Sequence, residues 1–215
     1  MALNFDSRIS AFEQLGLWLE QFLKEVENNR FTDDFNSEFQ AIIERQSREN
    51  GWFTQYNIYS SLAAIRDNLQ AESLNNLRFV YGNRIATSWQ EKIVAVVTGA
   101  FFPLVSFYDF MVVLLTGNVL QIKLHADDKL LLPKIAQKLM EIEPDFSEKI
   151  QFVDQLHDFE RVIITEENGH SEVLCQYFSK YPMFVHRRQR AAAILTGNET
   201  LTQLRALSND ICRYF

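Results

Sequence analysis

Apolar side chains in the first eighty residues recur at intervals of three and four, which is the spacing of one buried helix face. The longest stripe runs from Phe5 to Val26, and either Asp6 or Ser7 can cap the helix that it predicts. Thr54 is a good N-cap for a later helix. The pattern as a whole predicts four helices, at residues 5–26, 34–48, 54–69 and 72–80.

From Lys92 onward the pattern changes to short apolar runs that alternate with helical segments, as is typical of strands buried on both faces of a parallel sheet. The predicted strands are 93–97, 119–124, 150–153, 161–165, 183–186 and 191–195. The predicted helices are 103–115, 127–141, 168–180 and 200–214. This order predicts a doubly wound α/β fold with a mostly parallel, Rossmann-like sheet at residues 91–215, against which a helical region at residues 1–90 packs.

Right-handed crossovers would bring the carboxyl ends of all the strands to one edge of this sheet, where we expect any ligand. Residues 96–104 run from a strand into a tight turn, and Pro103 is predicted as the first residue of the next helix. The free N–H groups there suit a phosphate or an oxygen that develops negative charge. Lys123 emerges at the end of another buried strand, where it either meets an anion or extends into solvent.

Composition narrows the classes of function. With 47% hydrophobic residues the chain can bury a sizeable core, and its net charge of -7 argues against unspecific binding to nucleic acid or to an anionic membrane. The sequence predicts no membrane span and no signal peptide, so we expect a cytosolic protein. Cys175 and Cys212 fit no paired metal spacing, and no metal site is predicted.

Several segments carry a family resemblance. Gly117 and Asn118, followed by the strand that ends at Lys123, are similar to the Gly-Asn-Thr-Val-Val-x-Lys-Pro strand of aldehyde dehydrogenases. Residues 103–110, 194–200 and 210–215 resemble three motifs of the LuxC-like acyl-CoA reductases, which read Pro-Leu-Val-Gly-Phe-His-Asp-Phe, Val-Leu-Thr-Gly-Asn-Glu-Thr and Asp-Ile-Phe-Arg-Tyr-Phe. The chain therefore resembles the nucleotide-binding part of a LuxC-like fatty acyl-CoA reductase of the aldehyde dehydrogenase superfamily.

The resemblance implies that fatty acyl thioesters, such as acyl-CoA, are reduced to aldehydes with NADPH after a cysteine thiolate attacks the thioester. By position, Lys123 would contact the adenosine ribose or its 2′-phosphate. Thr165, Gly117 and Asn118 would line the same nucleotide groove. Ala126 stands where many NAD-specific aldehyde dehydrogenases have a glutamate that holds the ribose hydroxyls, so NADPH is expected rather than NADH.

Three departures from the family pattern limit the expected activity. Phe101 stands where the family has the asparagine that stabilises the oxyanion, and Glu166 and Glu167 replace a Gly-Ser pair at the cofactor site. The family continues with Gly-Leu-Gly-Cys, which contains the nucleophile, whereas this sequence ends at Phe215. We therefore expect no catalytic residue in the chain, no turnover by the chain alone, and a catalytic domain that would follow residue 215.

Two further expectations concern the remaining reactive side chains. Cys175 and Cys212 are predicted to be buried hydrophobic residues rather than nucleophiles. The basic cluster formed by His186, Arg187, Arg188 and Arg190 either receives a phosphate of the cofactor or of coenzyme A, or is a solvated turn.

Two interpretations of the function follow from the sequence. The alternative to a reductase part is a degenerate, non-enzymatic relative that serves as an interaction or regulatory module. If a catalytic domain is missing, the final helix and the ligand edge are expected to expose apolar surface and to self-associate or bind a partner.

Overall fold

In the computed structural model, residues 3–86, 90–165, 171–186 and 192–212 are described. They form eight α-helices and five β-strands. The helices are Phe5–Glu27 (α1), Asp34–Glu49 (α2), Gln55–Asn68 (α3), Ala71–Ala86 (α4), Phe107–Leu115 (α5), Leu131–Ile142 (α6), Ser171–Tyr177 (α7) and Leu201–Cys212 (α8). The strands are Ile93–Val97 (β1), Val119–Lys123 (β2), Ile150–Phe152 (β3), Arg161–Thr165 (β4) and Met183–His186 (β5).

The N-terminal helices begin at polar side chains that accept hydrogen bonds from backbone N–H groups. Asn4, rather than Asp6 or Ser7, caps α1, because its side chain accepts from the Ser7 N–H at 2.8 Å. Thr54 caps α3, as the sequence predicts. The fourth helix extends at its C-terminal end well beyond the predicted residues 72–80.

The five strands form one parallel sheet in the order β3-β2-β1-β4-β5. The chain adds β2 and β3 on one side of β1 and then β4 and β5 on the other, so the strand order reverses between β1 and β4. In open α/β sheets this reversal is where ligands bind, beyond the carboxyl ends of the strands. The predicted doubly wound α/β fold is confirmed.

Two sequence predictions about local structure are wrong. Residues 192–195 of the predicted strand 191–195 are in no strand, and Ile194 is 90% exposed. Alanine has low strand propensity, so this alanine-rich run lacks the β-branched residues that favour a strand. The helix after β1 begins at Phe107, not at Pro103, because Leu104 adopts a left-handed backbone conformation with φ of 60° that ends any earlier helical turn.

The sheet separates two hydrophobic clusters of unequal size. Val94, Val96, Leu120 and Ile122 face the larger cluster, which also contains the inner faces of α1, α5 and α6. The rings of Phe12 and Phe110 lie 6.4 Å apart in an edge-to-face arrangement. The helical N-terminal region and the sheet therefore share one core.

The opposite face of the sheet carries the smaller cluster, in which Ala95, Val162 and Ile164 pack with Phe159 and Phe178. The last helix contributes to neither cluster, because α8 has no buried residue and exposes Leu201 and Ile211 among others. No helix in the described part of the chain is both long and apolar enough to cross a membrane.

Candidate functional site

A groove opens at the carboxyl ends of β1, β2 and β3. Its volume is about 640 Å³, and both apolar strand ends and charged side chains line it. The charged and polar lining includes Thr98, Lys123, His125, Lys129 and Asp154. The groove therefore lies at the sheet edge where the sequence predicts a ligand.

Lys123 is the last residue of β2, and its side chain is exposed at this groove. The four residues before it in the strand are buried, so the backbone that carries the lysine is fixed by the core. Lys123 thus lies at the ligand edge where the sequence predicts it. Its contact with a nucleotide stays a prediction.

The loops that follow β1 and β2 are tied to each other. The hydroxyl Oγ1 of buried Thr98 accepts a hydrogen bond of 2.8 Å from the His125 backbone N–H. His125 Nδ1 accepts in turn from the Asp127 N–H at 3.2 Å and caps the short 3₁₀ turn Ala126–Asp128. This network holds the floor of the groove in one conformation.

Asp128 supports the loop after β1 from below. Its Oδ2 accepts a 2.9 Å hydrogen bond from the Leu104 N–H, whereas Oδ1 has no hydrogen-bond partner among the described residues. Burial raises the pKa of Asp128 to about 7, although the hydrogen bond from Leu104 favours the ionised form. The hydrogen bond to the Leu104 N–H ties this carboxyl to the residue with the left-handed conformation.

Phe101 lies on the same loop, at the position where the family resemblance expects an oxyanion-stabilising asparagine. Its side chain is 37% exposed, and its ring packs edge-to-face on Phe102 with 4.8 Å between the centroids. A phenyl ring donates no hydrogen bond, so this side chain cannot stabilise a developing oxyanion.

At the carboxyl ends of β4 and β5, the described residues include a histidine that is paired with a buried carboxyl. His186 at the end of β5 lies with Nε2 at 2.7 Å from Oδ1 of Asp109 on α5. Burial raises the pKa of Asp109, while the hydrogen bond and charge of His186, and the Thr165 hydroxyl, oppose that increase. The sequence indicates His186 only as part of the basic cluster and Asp109 only as one position of the motif at 103–110, and it gives no sign that these two residues, 77 apart, are paired.

Thr165 does not share the groove with Lys123. Val97 of β1 aligns with Lys123 on one side and with Ile164 on the other. Side chains that are aligned across a parallel sheet point to the same face, so Thr165, the next residue after Ile164, points to the opposite face. The expectation that Lys123 and Thr165 line one groove is not met, because Thr165 is buried on the α5 side of the sheet.

Gly117 and Asn118 precede β2 and therefore lie at the amino edge of the sheet, one strand length from Lys123. Gly117 has a φ of 82°, and a Cβ there would lie 2.9 Å from the Arg8 guanidinium. The Asn118 side chain accepts a hydrogen bond from the Lys92 N–H. Both residues form the turn into β2, and the expectation that they line the nucleotide groove is not met.

Several predicted residues lie outside the described residues: Glu166, Glu167, Arg187, Arg188, Arg190 and Phe215. Their predicted roles therefore stay predictions. The two cysteines are described, and neither is buried as expected. Cys175 is half-buried and Cys212 is exposed, because α8 has no buried residue.

Three charged residues of the groove and its floor, which are Asp128, Lys129 and Asp154, are not predicted from the sequence. None of them lies within a strand, so only the fold brings them to the sheet edge. Among the residues with coordinates, no group of three or more His, Cys, Asp or Glu side chains is arranged to hold a metal ion.

Comparison with solved structures finds a similar fold in an aldehyde dehydrogenase. A protein described as the aldehyde dehydrogenase PutA of Anabaena variabilis matches with a TM-score of 0.50 and 12% identity, over 84% of this chain and 43% of that chain. A NAD-dependent benzaldehyde dehydrogenase of Corynebacterium glutamicum gives a TM-score of 0.48 and 15% identity, over 85% and 46%. This chain spans less than half the length of either structure.

No family model matches the sequence, and no curated protein matches it. The similarity to the PutA structure concerns the fold, which is of the aldehyde dehydrogenase type. Because one fold supports many activities, the function has to be argued from the groove itself.

Proposed function

We propose that this chain is the NADPH-binding part of an acyl-CoA reductase that converts fatty acyl thioesters to aldehydes. The observation that carries the proposal is the open groove at the carboxyl ends of β1, β2 and β3, with Lys123 at its margin. Ligands of doubly wound sheets bind beyond the carboxyl ends of the strands, and this groove lies there, next to β1, which is one of the two strands that flank the reversal of the strand order. The resemblance to LuxC-like reductases supplies the reaction class.

Two features of the groove support NADPH rather than NADH as the cofactor. Lys123 has no carboxylate partner among the described residues, so its ammonium group can receive the ribose 2′-phosphate. Ala126 lines the same groove. Its methyl group cannot accept hydrogen bonds from the ribose hydroxyls, as a carboxylate would, and it does not repel a phosphate. When bound, the nicotinamide would supply the hydride that reduces the acyl group.

Neither cysteine of the chain is positioned as the nucleophile. Cys175 lies on α7, and Cys212 lies at the end of α8 beside Tyr56 and Ser60, so neither lines the groove. We expect the thiolate to come from a segment outside these 215 residues, and we expect the chain alone to give no acyl-CoA reductase turnover. NADPH oxidation coupled to aldehyde formation by the pure chain would refute this part of the proposal.

A titration of the chain with NADPH, followed by nucleotide fluorescence, tests the binding function. We expect saturable binding in the micromolar range, weakened roughly 10-fold or more by Lys123→Ala, because a charge-assisted hydrogen bond to a phosphate contributes about 1.5–3 kcal/mol. Lys180→Ala is the matched control. It removes the same charge before β5, where the ammonium group lies 5.1 Å from the Tyr181 ring, and should leave affinity unchanged.

A second candidate function is a degenerate module that binds no nucleotide and serves in interaction or regulation. The exposed Phe101 side chain on the loop after β1 favours it, because this side chain opposes the proposed catalysis. Glu166 and Glu167, which stand where the family pattern has Gly-Ser, also favour this alternative, because two carboxylates would repel a pyrophosphate. Under this alternative neither NADPH nor NADH binds, and the double change Glu166→Gly with Glu167→Ser restores binding.

A further inference from the structure

The lysines of the chain differ sharply in how their charge is balanced. Of the eight lysines, five lie within ion-pair distance of a carboxylate: Lys24, Lys92, Lys134, Lys138 and Lys149. Lys180 lies over the Tyr181 ring. Among the described residues, only Lys123 and Lys129 have neither kind of partner.

These two unpaired lysines line the same groove. Lys123 ends β2, and Lys129 follows the 3₁₀ turn that comes next in the chain. The turn itself is fixed, because Asp127 N–H donates to His125 Nδ1 and Gln46 Nε2 donates to the Asp127 carbonyl at 2.8 Å. Both lysines therefore line one space of about 640 Å³.

The charge of the groove suits a ligand with a dianionic end. Two ammonium groups that face one cavity repel each other, and a dianion between them removes that repulsion and adds two charge-assisted hydrogen bonds. Among the described residues that line the groove, Asp154 is the one carboxylate, so the two lysines give this described lining a net positive charge. A phosphate monoester, with a charge near -2 at neutral pH, matches this arrangement better than a phosphodiester with a charge of about -1.

We propose that Lys129 acts with Lys123 as a two-lysine clamp for the phosphate monoester of the nucleotide, and that Lys129 thereby selects NADPH over NADH. This inference rests on the proposed nucleotide-binding function. It adds a second specificity-determining residue to a site for which the sequence indicated only Lys123.

The test compares NADPH and NADH binding to the wild-type chain, Lys129→Gln and Lys129→Arg by isothermal titration calorimetry. We expect Lys129→Gln to weaken NADPH binding at least about 10-fold and to change NADH binding less than about twofold, because only NADPH carries the phosphate monoester. Lys129→Arg, which keeps the charge, should retain most of the NADPH affinity. Lys180→Gln serves as the control for loss of one surface charge, and circular dichroism confirms that each variant is folded.

The outcomes separate the clamp from the proposed function. If the wild-type chain binds NADPH and NADH equally well, or if Lys129→Gln weakens both alike, the clamp is refuted while dinucleotide binding stands. If the wild-type chain binds neither nucleotide, the proposed function fails together with the clamp. Selective loss of NADPH binding in Lys129→Gln, with NADH binding unchanged, supports both.

Discussion

The carboxyl edge of the sheet has two halves, and they differ in whether their charged and polar side chains are paired with one another. Beyond β1, β2 and β3 the edge is open, and Lys123 and Lys129 face a groove without carboxylate partners among the described residues. At the ends of β4 and β5, His186 is hydrogen-bonded to the buried Asp109 beside Thr165.

The difference teaches which half is built for a ligand. A protein gains little from presenting two unpaired cations to one cavity unless an anion arrives there. A carboxylate that is already hydrogen-bonded to an imidazole has a partner within the protein and does not need a ligand to supply one. This difference is why we propose the open half as the nucleotide site and expect a structural role for the paired half.

The largest expected effect concerns Asp128, the buried carboxyl below the open half. Its folded pKa of about 7 lies above the ordinary value of 3.8 for an aspartate, so its contribution to stability is fully present below pH 3.8 and is lost as the pH rises through about 7. Asp128→Asn should therefore be more stable than the wild type at about pH 8 by roughly 3–4 kcal/mol, and the difference should shrink at about pH 4.

Urea unfolding at both pH values measures this difference. The asparagine side chain in this variant keeps an oxygen that can accept from the Leu104 N–H, so the loop after β1 should stay in place. A stability difference that is the same in acid and in mild alkali would mean that the carboxyl does not titrate as its burial requires.

The next effect tests the paired half. His186→Ala removes the imidazole partner of Asp109 and leaves a buried carboxylate, which should destabilise the chain by about 2 kcal/mol at about pH 8. The loss should be smaller in mild acid, because burial raises the pKa of Asp109 and the unpartnered carboxyl can take up a proton. Urea unfolding measures the loss, and Leu201→Ala on the exposed face of α8 is a control.

The same variant, His186→Ala, tests whether ligand binding is confined to the half of the edge formed by β1, β2 and β3. We expect NADPH affinity to change less than about twofold in His186→Ala, since His186 does not line the groove. A variant that stays folded but binds NADPH many times more weakly would show that the ligand also reaches the β4–β5 half.

The smallest effect concerns Asp154, the carboxylate that lines the open half. Asp154→Asn removes a negative charge from the groove and should strengthen NADPH binding about two- to threefold, with a smaller gain for NADH. Asp145→Asn, in the 3₁₀ segment before β3, removes the same charge at the opposite edge and is the control. Weaker NADPH binding in Asp154→Asn would indicate that this carboxylate holds ribose hydroxyls instead.

Much of the fold could be predicted because five apolar runs are long enough to form buried strands and are separated by helical segments. The run at 191–195 is also apolar, but its alanines have little side chain with which a strand could pack. Whether such a run joins the sheet also depends on a neighbouring strand with a free edge, which the sequence does not reveal. Leu104 has no sequence signal for a left-handed conformation, and the pattern alone therefore predicts a helix that begins too early, at Pro103.

The site could be predicted only where it lies at the end of a strand. Lys123 follows from the buried run before it. The face to which Thr165 points depends on its register with β1, which the alternation within β4 alone does not fix. The expectation that Gly117 and Asn118 line the groove rests on the family resemblance. They precede β2 and Lys123 ends it, so the length of the strand places them at opposite edges of the sheet. The position of Lys129 at the groove depends on the 3₁₀ turn that precedes it, which the sequence pattern does not predict.

The shared core has a consequence for dissection of the molecule. Phe12 of α1 packs against both Phe110 and Phe146, so the first helix supplies part of the interior on which the sheet rests. Limited proteolysis near residue 90 would then cut a connection without releasing an independently folded sheet fragment, because the severed helices would remain bound to it. Any fragment that is to keep the groove intact has to retain α1, although no residue of α1 lines the groove.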